Sequence, residues 1–218
     1  MPRRVQGAKP KPKPLKRPTQ DRAKLTVEAI YEAFVRIWRR DGWQRLTTRA
    51  VALEAGVAIG TFYDYFPNKT ALHSGYVRYC IEAMIQVVDE RVVQPPDLSW
   101  RTRVHWLIRL LAGLERDGIP WFHPEMLALE PEVAEHKHQQ RASEELLAMW
   151  RRVFDACNDL RRPSEETCLA LHLAVWGGRR YAWLLMLNRE QTEAWAEAME
   201  TMCLALIDSA NGTDRVMP

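Results

Sequence analysis

The residues that first suggest a chemistry are basic. Residues 1–24 hold nine Lys or Arg against the single acid Asp21, a local charge of +8, residues 25–70 add +1, and the remainder carries about −6 to reach the overall +3. Lys and Arg displace the counterions condensed on phosphates, so a polyanion is expected at the N-terminal end. A second set lies between Thr47 and Lys69. Ile59, Gly60, Thr61, Tyr63 and Tyr65 fall on the outer side of a short helical pattern, while Phe62 and Phe66 fall on its inner side. Lys69 follows Asn68, a capping residue, and so sits in a first helical turn whose free amides already attract phosphate.

Arrangements that would do catalysis are not found. The sequence has no serine elbow, no glycine loop of the phosphate-cradling kind and no HExxH pair, and Glu130 and Glu132 flank a proline without an acid/base partner. His136 and His138 are two apart and point to different sides of a helix, so with His123 and His172 they predict no metal site. Cys80, Cys157, Cys168 and Cys203 are scattered through apolar helical patterns and read as buried, reduced thiols. No cofactor is expected. No stretch approaches the roughly 20 uninterrupted apolar residues of a membrane helix, and the basic N-terminus lacks the apolar run of a signal peptide, so the expected address is the cytoplasm.

The elements that must position these residues are helices. At 47% hydrophobic and 27% charged residues the chain has an ordinary globular composition, and apolar residues recur at three- and four-residue intervals with no sustained alternation. The predicted class is all-α. Residues 1–19, centred on Lys9-Pro10-Lys11-Pro12-Lys13-Pro14, read as an extended tail, either an arm along a nucleic-acid backbone or groove or a solvated segment. A first helix is predicted from Gln20 to Arg40, ended by Asp41-Gly42. Further helices are predicted near 69–92, 99–117, 123–129, 132–158, 164–187 and 191–209, punctuated by Pro95-Pro96, Pro120, Pro131 and Pro163. The predicted domains are a helix-turn-helix unit over 20–67, a helical body over 68–210 and a tail over 211–218.

Residues 46–72 carry the most specific pattern. Thr47 is placed to cap a helix with Val51, Ala52 and Ala55 on its apolar face, Gly56 supplies the turn, Val57 plugs the junction, and Pro67 stops the second helix. This order and spacing resembles the TetR/AcrR family of bacterial regulators, closely over residues 25–75 and in length and helical content beyond. The resemblance implies that Thr48 reaches a phosphate and Arg49 a base edge or phosphate. It implies further that Thr61 and Tyr63 contact backbone phosphates, Gly60 allows close approach, Ile59 touches a base, and Tyr65 and Lys69 hold phosphates. Two positions depart from the family. Ala58 stands where Ser or Thr usually caps the reading helix, and Asp64 stands where many relatives have aromatic or basic residues, facing either a cytosine amino group or solvent.

In the same family the later helices enclose a pocket for a small inducer and form a four-helix dimer interface. Trp106, Leu110, Trp121, Phe122, Met126, Trp150 and Trp183 are the pocket candidates, although aromatics at helical spacing also serve as core. Ala170, Ala174, Gly177 and Gly178 put small residues one and two turns apart, and with Trp195, Met199, Met202 and Leu206 they resemble the dimer helices. The expected protein is a ligand-responsive, homodimeric regulator. It binds a palindromic double-stranded DNA operator and, as a repressor, is released by a small hydrophobic or amphipathic inducer. An activator of the same fold and a nonspecific nucleoid-type binder are the alternatives.

Overall fold

Local signals decide where each helix starts and stops. A computed structural model describes residues 21–129 and 136–213, and all regular structure within them is helical. The predicted tail over 1–19 lies outside the described residues. The chain divides into two units within one helix, between Tyr79 and Cys80.

The N-terminal unit opens with α1 (Asp21–Arg45), whose buried Val27, Ile30, Ala33, Phe34, Ile37 and Trp38 form one stripe. A stop was predicted at Asp41-Gly42; the helix kinks there instead. Gly42 takes φ 73° and ψ 172°, open to a residue without Cβ, and Trp43–Arg45 add a further turn. At the start of α2 (Thr48–Glu54), Thr47 is extended and its Oγ1 accepts the Ala50 amide at 3.1 Å. Gly56, at φ 69°, ends the helix, and the Val57 amide donates back to the Ala52 carbonyl at 3.0 Å. α3 (Ile59–Tyr65) follows. α4 (Lys69–Val88) starts where Asn68 Oδ1 accepts the Ala71 amide at 2.8 Å. Phe34, Phe62, Phe66 and Tyr76 are buried, with ring centroids 5.7 Å apart for Phe62–Phe66 and 5.1 Å for Phe34–Tyr76. Burying each such ring contributes about 1.5–3 kcal/mol, so aromatic packing fixes the two short helices that caps alone would not hold.

The C-terminal unit takes the rest of α4, which ends in a π-helical turn over Asp89–Val93. α5 (Trp100–Ala112) is capped by Ser99, whose oxygen accepts the Thr102 amide. It was predicted to continue to residue 117, but Gly113 enters the left-handed region at φ 76° and ends it. α6 (Pro124–Ala128), α7 (His136–Asp155), α8 (Glu165–Leu184) and α9 (Arg189–Thr213) complete the unit. α7 and α8 stop three residues short of the predicted ends, while α9 runs on into the predicted tail. α5 meets α7, α8 and α9, so its Val104, Leu107, Leu110 and Leu111 lie at the centre of the core beside Met149, Trp150, Leu171, Val175 and Ile207. Cys80, Cys168 and Cys203 are buried, Cys157 is half-buried, and none forms a disulfide. Burial pushes the Cys157 and Cys203 thiols up to about 11. No helix among the described residues is long and apolar enough to cross a membrane.

Candidate nucleic-acid interface

Phe62 anchors α3 inward, so the residues between its helical repeats face out. Ile59 and Tyr63 are 42% and 45% exposed, and Thr61 and Tyr65 are half-buried. A Cβ added at Gly60 would meet nothing within 4 Å. Internal packing therefore does not demand that glycine, and its effect is to leave the outer face of α3 flat. Thr48 Oγ1 and Tyr63 Oη share a hydrogen bond at 3.1 Å, which ties the outer side of α2 to that of α3. Two hydroxyls bring two protons and this bond uses one, so one remains for an outside acceptor.

The basic residues of the unit sort into committed and uncommitted ones. Arg36 Nε meets Glu54 Oε1 at 3.0 Å and Arg40 Nη1 meets Glu54 Oε2 at 3.3 Å. Hydrogen bonds from Arg36 and then Arg40 hold the Glu54 carboxyl below its usual range. Arg49 is exposed and forms no ion pair among the described residues. Lys69 Nζ sits 4.4 Å from the Trp43 ring centroid and donates to the Trp43 carbonyl at 3.3 Å, which holds an ammonium in the first turn of α4 with further protons to give. Trp43 was missed in the sequence because it is 26 residues away and reaches Lys69 only through the kink at Gly42. Ala58 leaves α3 without a side-chain cap, and Asp64 is exposed.

The residues singled out in the body differ in burial and in ring partners. Phe122 stacks on Trp183 with centroids 5.2 Å apart, and Trp121 stacks on His123 at 5.7 Å. Met126, Leu110 and Trp150 are buried, Trp150 against Phe154, whereas Trp106 is 40% exposed and its ring contacts His105. Ala170, Ala174, Gly177, Met202 and Leu206 are exposed. Trp195 lies over Gly178, where a Cβ would come within 2.9 Å of its ring, and Met199 is buried inside the unit. His123 Nδ1 accepts the Glu125 amide at the start of α6, and His172 Nε2 is 3.0 Å from Ser143 Oγ.

Residues 30–74, which contain the whole of α2 and α3, match the family model for bacterial regulatory proteins of the tetR family. The nucleoid occlusion factor SlmA of Salmonella typhi is 29% identical over 79 residues, 36% of this chain and 40% of that protein. The match thus spans less than half the length of this curated relative. Among solved structures, a TetR transcription regulator from Haloarcula marismortui aligns over 85% of this chain and 97% of its own, with a TM-score of 0.60 at 19% identity. The fatty acid degradation regulator FadR from Bacillus halodurans aligns over 88% and 96%, with a TM-score of 0.57 at 12% identity. At these identities the structural likeness speaks for the fold. Residues 30–74 thus resemble the DNA-binding region of bacterial regulatory proteins of the tetR family, and the rest of the chain shares their fold.

Proposed function

We propose that this chain is a homodimeric, DNA-binding transcriptional regulator, a repressor released from a palindromic operator by a small hydrophobic or amphipathic inducer. The observation that carries this reading is the outward face of α2 and α3, where uncommitted Arg49 and the exposed Ile59, Gly60 and Tyr63 lie together over a buried aromatic anchor. Ile59 serves as a base reader, and Arg49 reaches a base edge or a phosphate. Thr48, Thr61, Tyr63, Tyr65 and Lys69 serve as phosphate contacts, and Gly60 admits the backbone closely. Residues 20–67 form the reading domain and 68–210 the ligand and dimer domain.

Dimerisation is supported by the exposed apolar stripe of α8 and α9. Leu173, Tyr181, Met202 and Leu206 lie open beside the small Ala170, Ala174 and Gly177, a surface that a two-fold copy would cover. Such a dimer sets its reading helices about one DNA turn, roughly 34 Å, apart. α4 contributes residues to both units and is the lever through which inducer would act. A hundredfold loss of operator affinity needs about 2.7 kcal/mol of coupling. The relative described as a nucleoid occlusion factor supports a second reading, a binder of many chromosomal sites.

Selection of genomic DNA fragments by the purified full-length protein at near-physiological salt tests both. Enrichment of one palindrome with half-sites a turn apart is expected. Uniform, salt-sensitive recovery of all fragments would sink the operator reading, and loss of nearly all affinity on deleting residues 1–19 would assign binding to the tail.

A further inference from the structure

Among the described residues two arginines lie inside the C-terminal unit, and only one of them donates to oxygen. Arg103 in α5 is 1% exposed and donates to the carbonyls of Val92 and Val93 and, at 2.7 Å, to that of Pro95. These carbonyls close the π-helical turn, where backbone acceptors run out of amide partners and the helix end is negative. Arg103 is thereby accounted for as a structural cap.

Arg179 in α8 is 7% exposed, and no carboxylate pairs with it among the described residues. Its Nη1 donates to the Met84 sulfur at 3.1 Å, a weak acceptor, and its Nε, like that of Arg103, has no acceptor among the described residues, so that no oxygen there accepts from this guanidinium. The guanidinium lies instead between two indoles of its own helix, 5.0 Å from the Trp176 ring and 4.0 Å from the Trp183 ring. Positions three before and four after Arg179 share its helical face, so the sandwich follows from the spacing. Phe122 extends the aromatic wall by stacking on Trp183, and Arg116 adds positive potential nearby. Burial lowers the guanidinium pKa to about 9, so the group remains a cation at neutral pH. A Met or Leu would fill this space without desolvating a charge, which makes the buried cation hard to explain by packing.

We infer that Arg179 is the anchor for the carboxylate of a small amphipathic acid whose aliphatic or aromatic part lies against Trp176, Trp183 and Phe122. This rests on the reading of the C-terminal unit as a ligand domain and names the ligand class for it. One unbalanced positive charge calls for one negative charge, and the planar guanidinium edge matches a carboxylate with parallel N–H donors. The two rings already stack on the cation and continue as an apolar surface for the rest of the acid.

The test is calorimetric titration of the full-length protein with two pairs of probes, octanoate with octanamide and 2-naphthoate with 2-naphthamide, each amide a neutral match for its acid. At least one carboxylate binds about 30-fold more tightly than its amide, equivalent to about 2 kcal/mol at 1.4 kcal/mol per tenfold. The favoured pair tells an aliphatic acid from an aromatic one. Arg179→Met brings that ratio to about one with an unchanged or raised Tm, whereas Arg179→Lys keeps part of it. Equal binding of acid and amide, a preference that survives Arg179→Met, or no binding of either acid overturns the inference. So does a lowered Tm with the ratio intact, which marks a purely structural arginine. Should Arg179→Met fail to give the wild-type circular dichroism spectrum, the comparison of Arg179→Lys with Arg179→Gln decides, the preference being expected only with Lys. An operator-bound protein released equally by acids and amides would sink this inference and leave the regulator reading standing; failure of the DNA selection without ligand would sink that reading instead.

Discussion

In the N-terminal unit Arg36 and Arg40 converge on Glu54 at the surface while Arg49, on the next helix, stays uncommitted; in the C-terminal unit Arg103 and Arg179 are folded inside. The contrast separates two ways of holding a positive charge. A surface guanidinium keeps its water, so leaving Arg49 unpaired costs little and it remains free to meet a polyanion. A buried guanidinium has lost that water and is stable only beside acceptors. Arg103 finds them in the carbonyls of Val92, Val93 and Pro95, whereas Arg179 has aromatic faces and a sulfur in place of oxygen.

The comparison can be broken most directly at the anchor of the reading helix. Phe62→Ala removes a fully buried ring and should destabilise the protein by about 3–5 kcal/mol in chemical denaturation, with loss of DNA binding. A smaller effect would mean that α3 is not held by its aromatic core. Inside the body, Arg103→Met strands the carbonyls at the π-helical turn and should lower stability by about 2–4 kcal/mol, while Arg179→Met leaves Tm level or higher. Equal losses from both would erase the distinction between the two buried arginines.

At the surface the effects are smaller. Arg49→Ala should weaken operator binding by about 1–3 kcal/mol if the residue reads a base, and relax preference at one position; as a phosphate contact it would instead lower the salt slope by about 1. Fluorescence anisotropy at several salt concentrations separates these outcomes. Thr47→Ala removes the α2 cap and should cost about 1 kcal/mol, and Ala58→Ser, supplying α3 with the cap it lacks, should return a similar amount. Thermal midpoints of the single and double variants check both. The smallest effect is at Glu54, whose folded carboxyl is held below its usual pKa by Arg36 and Arg40. A depressed carboxyl stabilises the fold above the unfolded value of about 4.3 and loses that contribution as pH falls through the lower folded value. The Tm difference between wild type and Glu54→Gln should therefore shrink on acidification, and a difference constant with pH would dissociate Glu54 from the two arginines.

The reading head was legible because its signals are short in sequence. Thr47, Gly56, Pro67 and Asn68 each act on backbone within a few residues, and the structure shows Thr47 and Asn68 accepting the amides their types suggest. Gly113 is the same kind of signal, and its left-handed φ of 76° ends a helix that was expected to reach residue 117. The burial of the tryptophans of the body was not legible in the sequence. Trp106 and Trp150 share a residue type and a helical setting, yet one is 40% exposed and the other fully buried. Which face of a helix meets which neighbour depends on contacts between residues far apart in the chain.

The sequence by itself determined the helical class, the order of helices in the reading head and which of its side chains face outward, since capping, glycine turns and 3.6-residue periodicity are local properties of the chain. Only the tertiary structure decided that Trp43 carries Lys69, that Met199 belongs to the core while Met202 lies open, and that Arg179 is buried with no carboxylate partner among the described residues. Desolvation is a property of the surroundings, and the surroundings of a helical residue are set by packing between helices that the linear pattern does not encode.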